Sequence, residues 1–452
     1  MRRRLFRALT FLTLLFAGLR ATEPDALLVI VGDQHSAYER TAQFVAHIDR
    51  LRAAHPTVPL AILIDGDSLE SGNIVARRSA GAIDFAMFAA LARRAPTILN
   101  LGNHEPEFYA VDDTVARLRA TGVTVISNLI NRATREPFAP ASTRLRLGAH
   151  EAVVVGLATD RLNTYRVSVR PTLDLADPVV WAQKNFPALL TNAPLAIVLA
   201  HTGVQTDRAL LPLVPDGTLF AGAHDHLRFV HRAGRTVYFQ SGSWNESFSL
   251  ATLRSDATGP LWSVEQIPIA LTDPADPELA TLIRETSAKH LTTEDTAILG
   301  RIPAALSPSE AARWIAAAVR DAAHVDAAAI GNTTFGAGLP AGDVTRLAFD
   351  ACVRFDGTIC IAEITGAQLT AILATSNQTP DTPFAERHGE YLAAAGPTTP
   401  LDPTRTYRLA TTDYVANNPD RYALSPAIIF KPHPTLRLKP LAAAALASAP
   451  KL

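Results

Sequence analysis

Cysteine is nearly missing from this chain. Of 452 residues two are cysteine, Cys352 and Cys360. A disulfide-built scaffold is therefore excluded, and neither residue stands in a metal or redox spacing. The pair flanks Asp356 and Gly357, which is compatible with one disulfide near a turn or with two buried thiols. Runs of one charge are missing too. Lys and Arg number 42 against 43 Asp and Glu, for a net charge of −1. Nothing in that balance favours a nucleic-acid polymer as partner, because such binding rests on neutralising phosphates. Beyond residue 19 no stretch is long and apolar enough to span a bilayer, and no internal repeat is visible.

The first 21 residues read as a targeting segment. Arg2, Arg3, Arg4 and Arg7 precede a short apolar run over residues 8–19, and Ala21 suits the last position before cleavage. This is the pattern of a secretory signal peptide. It predicts a periplasmic or extracellular protein with no stable membrane insertion after cleavage. No cysteine near the cleavage point offers a site for lipid. The remaining length predicts two domains. Strands alternate with helical patterns over residues 24–271, and a Pro- and Asp-rich connection follows over residues 272–300. A second region covers residues 301–440, with a hairpin expected over residues 349–364. Residues 441–452 form an Ala-rich tail, expected to be frayed or weakly helical.

The most informative pattern is repeated five times in the first region. A short apolar run ends in a cluster of Asp, Asn and His. Residues 27–31 lead into Gly32, Asp33, Gln34 and His35, and residues 60–64 into Asp65, Gly66 and Asp67. Residues 97–101 lead into Gly102, Asn103, His104 and Glu105. Residues 195–200 lead into His201, and residues 219–221 into Gly222, Ala223, His224, Asp225 and His226. Short apolar runs read as buried strands. Open α/β sheets build their sites at the carboxyl ends of strands, so five such ends can converge.

Carboxylate, amide oxygen and imidazole are ligands for hard and borderline divalent metals. Asp33, His35, Asp67 and His226 make one set, and Asp67, Asn103, His201 and His224 a second, with Asp67 bridging. Strand alternation would turn His224 and His226 to the same face, and likewise Asp33 and His35. Two divalent ions held in this way suit phosphoryl displacement. They make hydroxide available from a shared water and stabilise transition-state charge. The donor set accepts Zn, Mn, Fe, Co or Ni. His104 is left over in this scheme and can protonate a leaving oxygen, with Glu107 to hold its ring.

Written out, the blocks are GDQH, DGD, LGNHE, AHTG and GAHDH. In this order they resemble the calcineurin-like dinuclear metallophosphatase superfamily. The second region narrows the resemblance. FDACVRFDGTICIAEITGAQL is similar to the hairpin and T-G turn of the 5′-nucleotidase C-terminal domain, and YRLATTDYVANN to a later strand and loop of it. The resemblance implies a four-layer αββα sandwich followed by a smaller α+β domain that binds substrate. It implies a nucleotide base held between two aromatic rings, which by position are Phe355 and Tyr414. The implied function is that of an exported 5′-nucleotidase-like hydrolase, releasing phosphate from a small nucleotide ester by attack of metal-bound hydroxide.

The chain departs from that family at one loop. GNTTFGAGLPAGD has Gly336 where the family has an arginine, which leaves Arg346, Arg354 or Arg387 as substitutes. Two other readings therefore stand beside the first. One keeps the metal chemistry on cyclic nucleotides, nucleotide sugars or another phosphorylated or sulfur-containing ester. The other is an extracytoplasmic binding protein without catalysis.

Overall fold

A computed structural model describes residues 23–257 and 259–448. The expected signal peptide lies outside the described residues. The first domain is built on two six-stranded sheets. In chain order the strands of these two sheets are β1 Ala26–Val31, β2 Leu60–Asp65, β3 Thr97–Asn100, β4 Thr124–Ile126, β5 Ser142–Leu147, β6 His150–Ala158, β7 Leu195–His201, β8 Leu219–Gly222, β9 Arg228–Ala233, β10 Thr236–Ser241, β11 Ser247–Asp256 and β12 Gly259–Pro268. One sheet has the order β12-β11-β1-β2-β3-β4 and the other β9-β10-β8-β7-β6-β5.

The apolar runs are continuous because both faces of each sheet are covered. Leu28, Ile30, Leu63 and Ile98 face the other sheet, where they meet Ile197, Leu199, Leu219 and Phe239. Their neighbours Val29, Val31, Ile62 and Leu99 face outward against Phe44, Val45 and Ile48 of the helix Tyr38–Ala54 and Phe88 of the helix Ala82–Ala92. The second sheet is covered in the same way by Ala182, Phe186 and Leu190 of the helix Pro178–Leu190. The result is the αββα order of layers.

Strands β1, β2 and β3 are parallel and in step, with Val31 beside Ile64 and Asp65 beside Asn100. In the facing sheet β7 and β8 run parallel, with Ala200 beside Gly222. All five polar clusters therefore leave their sheets at one end of the sandwich. Backbone bonds tie the loops together there. Asp33 N–H donates to Gly66 O, His35 N–H to Asp67 O and Trp244 N–H to Asp33 O.

The helix Pro277–His290 packs its Leu279, Leu282 and Ile283 onto the core of the first domain. The second domain holds β13 Ile298–Ile302, β14 Ala327–Gly331, β15 Gly342–Thr345, β16 Thr358–Thr365, β17 Leu392–Ala395, β18 Thr406–Thr412 and β19 Lys431–Arg437. Five of them form a mixed sheet in the order β17-β14-β18-β16-β19, and β13 pairs with β15. One face of the mixed sheet packs on Ile315 and Val319 of the helix Pro308–Ala322, the other on Leu369 and Ile372 of the helix Gly366–Thr375.

One sequence expectation about these elements is corrected. Residues 349–364 do not form a hairpin. Arg346–Cys352 is a helix whose N-cap Thr345 accepts from Ala348 N–H, and β16 begins only at Thr358. Phe349 and Cys352 are buried at a spacing of three, a helical period that a short apolar run disguises. Of the two alternatives for the Ala-rich end, frayed or weakly helical, its described part takes the helical one. Leu438–Ser448 is a helix with Leu438, Ala442 and Leu446 buried at every fourth position against the helix Pro308–Ala322. Tertiary packing supplies the order that composition alone does not. Cys352 and Cys360 are both free and buried, and burial pushes the Cys352 thiol up to about 12.

Candidate metal centre

The loops that carry the candidate ligands adopt strained backbone. Asp33 (φ 50°), His35 (48°), Asp67 (52°), His224 (87°) and His226 (60°) all lie in the left-handed region. Non-glycine residues rarely occupy it, and such outliers cluster at functional sites. Strand alternation is thus not what aims these side chains. β8 stops at Gly222, before the two histidines, and β1 stops at Val31. Tight left-handed turns turn them to one place instead.

The expected ligands do come together. Ligand atoms of Asp33, His35 and His226 lie within 4.8 Å of one another, as do those of Asp67, His201 and His224. The Nε2 atoms of His35 and His226 face each other at 2.9 Å. His201 Nε2 lies 3.0 Å from Asp67 Oδ2 and 4.0 Å from Asp33 Oδ1. Asn103 joins the same wall and is 2% exposed. Several buried polar atoms here have no hydrogen-bond partner, among them Asn103 Oδ1 and both ring nitrogens of His224. Buried polar atoms are rarely left so. Asn103 Oδ1 and the unprotonated ring nitrogen of a neutral His224 carry free lone pairs on residue types that ligate divalent cations, so the set fits a metal site. Burial lowers the pKa of His35, His224 and His226, which favours the neutral imidazole a ligand must be.

Supporting contacts fix the candidate ligands. His201 Nδ1–H donates to the Asp65 carbonyl at 2.8 Å, which leaves Nε2 for the site. His224 N–H donates to the Asp33 carboxylate. His104 N–H donates to Asp67 Oδ1 at 2.7 Å, and His104 Nδ1 lies 2.8 Å from Glu107 Oε1. His104 and Glu107 are therefore in contact. Burial opposes charge on His104, but Asp67, Glu70 and Glu107 outweigh it and raise the ring to about 10.

Ligand atoms and second-domain residues share one cleft of about 510 Å³. It is lined by His35, Asp67, Asn103, His104, His224 and His226 from the first domain, and by Thr333, Phe355, Glu390, Tyr414 and Asn417 from the second. Phe355 and Tyr414 are 46% and 40% exposed.

The calcineurin-like phosphoesterase family profile matches residues 26–228, and the profile of the 5′-nucleotidase C-terminal domain matches residues 290–396. The chain joins a calcineurin-like phosphoesterase domain to a 5′-nucleotidase C-terminal domain. Among solved structures it is similar to a 5′-nucleotidase precursor from Thermus thermophilus, at 19% identity and TM-score 0.63 over 93% of this chain and 96% of that one. A sulfate thiohydrolase from the same organism is similar at 15% identity and TM-score 0.64, over 94% and 95% of the two chains. A 5′-nucleotidase from Candida albicans follows at 14% identity and TM-score 0.61, over 94% and 98%. At these identities the likeness is one of fold. No curated protein matches the sequence at a significant level. Its calcineurin-like phosphoesterase domain makes this metallophosphatase a hydrolase of the phosphoesterase class.

The metallophosphatase site uses residues that sequence reasoning passes over. Glu105 is fully buried, and its carboxylate accepts from Gly102 N–H (2.7 Å), Ser68 N–H (2.8 Å) and Asp67 N–H (2.9 Å). It ties the loop after β3 to the loop after β2. Its place directly after His104 is the one signal the sequence offers. Glu70 Oε2 lies 3.5 Å from His35 Nδ1 and 3.9 Å from His104 Nδ1. The arginines offered as substitutes for the missing one do not line the cleft. Arg346 lies 3.9 Å from Glu294, Arg387 lies over the Phe229 ring, and Arg354 lies over the Trp244 ring. Two others, Arg161 and Arg421, face the cleft residue Glu390 at 3.9 and 3.1 Å.

Proposed function

We propose that this metallophosphatase is an exported 5′-nucleotidase-type enzyme that holds two divalent cations and releases phosphate from nucleoside monophosphates. One observation carries the reading: five of the seven candidate metal ligands, His35, Asp67, Asn103, His224 and His226, line the same cleft as the aromatic rings Phe355 and Tyr414. Asp33, His35, Asp67 and His226 are assigned to one cation, and Asp67, Asn103, His201 and His224 to the other. When bound, such cations lower the pKa of water and neutralise charge on the phosphoryl oxygens.

The chain's own groups supply the rest. His104 holds the proton for the leaving oxygen at Nε2, because Nδ1 is engaged by Glu107. Phe355 and Tyr414 offer partly exposed ring faces, and any nucleobase has a π face to stack on them. Export rests on the basic residues 2–7 followed by the apolar run. Among the described residues no helix is long and apolar enough to cross a membrane.

A second reading keeps the metals and changes the ester. It is favoured by the cleft lining, which includes the carboxylate of Glu390 and none of Arg346, Arg354 and Arg387. The deciding experiment is phosphate release by the purified mature protein loaded with Mn, Zn or Co. The panel holds nucleoside monophosphates, cyclic nucleotides, nucleotide sugars and a small aryl phosphate. A clear preference for monophosphates is expected. Turnover of the aryl ester alone would retain the metal site and reject the nucleotide.

A further inference from the structure

Arg354 and Phe355 are consecutive residues with opposite destinations. Phe355 lines the cleft, whereas Arg354 is 7% exposed and points into the first domain. Its guanidinium carbon lies 4.5 Å from the centroid of the Trp244 ring. Trp244 is itself stacked on the candidate ligand His35, with centroids 4.5 Å apart and planes at 26°. Arg354 Nη2 is 3.7 Å from Glu70 Oε2, the oxygen that also faces His35 and His104.

The space for this arrangement depends on two missing side chains. A Cβ at Gly336 would lie 2.5 Å from Ala351 O and 3.0 Å from Arg354 Cγ, and a Cβ at Gly72 would lie 3.0 Å from Glu70 Oε1 and 3.2 Å from both Arg354 Nε and Nη2. The residue at which the family arginine is absent thus lies directly against the Arg354 side chain. Nε and Nη2 are buried without a hydrogen-bond partner. A buried cation so thinly bonded is a poor way to fill space, since an apolar side chain of similar volume would do so at lower cost. What Arg354 has, and an apolar residue lacks, is a flat charged face for Trp244 and an attraction to Glu70.

We propose that Arg354 is a positioning residue that seats the second domain on the metal end and so fixes where Phe355 stands in the cleft. The link between the two is short and stiff. Arg354 N–H donates to Thr334 O at 3.0 Å, and Val353 is bridged to Phe335. A shift of Arg354 therefore carries Phe355 with it. The proposal rests on the reading above that Phe355 meets the substrate.

The test uses full-length, metal-loaded Arg354→Met with two readouts. The first is the ratio of kcat/KM for a nucleoside monophosphate to that for a small aryl phosphate. It is expected to fall by up to about 10²-fold, the scale of loss for a misplacement of about 1 Å, chiefly through KM. Phe355→Ala added to Arg354→Met is expected to lower the ratio by less than Phe355→Ala does in the parent. The second readout is hydrogen exchange over residues 353–357, expected to rise in Arg354→Met while residues 26–31 are unchanged. Equal losses on both esters, additive effects of the two substitutions, or an unchanged ratio would each overturn the proposal. If the parent shows no preference for nucleotides, the substrate reading has failed, and exchange alone decides: unchanged uptake at residues 353–357 overturns the positioning role. Should Arg354→Met not fold, Arg354→Lys is read in the same assays, with a smaller fall expected because the planar fork is lost and the charge kept.

Discussion

His104 and Glu107 face each other across a single turn of 3-10 helix, Nδ1 to Oε1, at 2.8 Å. A carboxylate at that nitrogen fixes the tautomer and ring plane and leaves Nε2 turned to the cleft. His104→Ala is expected to lower kcat by about 10²- to 10⁴-fold, the range for loss of a general acid. Metal content by elemental analysis should stay at the parental value. Glu107→Gln should cost less, on the order of tenfold, as an orienting group does.

Removal of the metal is the second test. A chelator should abolish phosphate release, and added Mn, Zn or Co should restore it. His226→Asn is expected to lower bound metal from two equivalents toward one, because His226 belongs to one candidate set while Asp67 serves both. Asp67→Asn should weaken both. A variant that keeps two tightly bound ions after His226→Asn would remove that residue from the ligand set.

Glu105 gives a prediction about stability. Its buried carboxylate accepts three backbone N–H groups from two loops. Truncation in Glu105→Ala leaves those donors unsatisfied, at about 1–3 kcal/mol each before relaxation. A clear drop in Tm is expected for the metal-free protein, larger than for Glu107→Ala. Glu105→Gln keeps one acceptor oxygen and should fall between.

Asp295 gives a pH dependence away from the metals. Arg78 Nη1 lies 2.5 Å from Asp295 Oδ2, and Thr292 N–H donates to the same oxygen at 2.7 Å. These bonds, Arg78 first, hold the Asp295 carboxyl below its ordinary range. A depressed native pKa means that the unfolded state binds the proton first as pH falls. The stabilisation is therefore complete above the unfolded value near 4 and is lost progressively below it. Asp295→Asn should lower Tm at pH 7, and the gap to the parent should narrow by pH 3.

The outline of this molecule is legible in its sequence for a local reason. Strands buried on both faces leave continuous apolar runs, and the polar residue that ends each run marks a carboxyl edge. Asp33, His35, Asp67, Asn103, His104, His201, His224 and His226 can be read in that way. Glu107 can be read because its partner is three residues away. What cannot be read lies across the chain. Glu70 and Arg354 are 284 positions apart, the difference of their residue numbers, and nothing near either announces the other. The helix Arg346–Cys352 passes for strand in the sequence because seven residues with two buried positions fit both periods. Strand alternation offers an aim for His224 and His226, but left-handed turns beyond the strand perform it.

Those left-handed turns govern how any substitution at the site will read out. At Asp33, His35, Asp67, His224 and His226 an alanine removes a donor atom and also places a plain Cβ where the backbone resists one. Its effect is the sum of two losses. Asparagine visits the same backbone region readily, so it isolates the chemistry. Glycine relieves the backbone altogether and isolates the side chain from the opposite direction. The difference between alanine and glycine variants at one position measures conformational strain with ligation held at zero. At these five positions that difference should favour glycine, an inversion of the usual preference for alanine in folded protein.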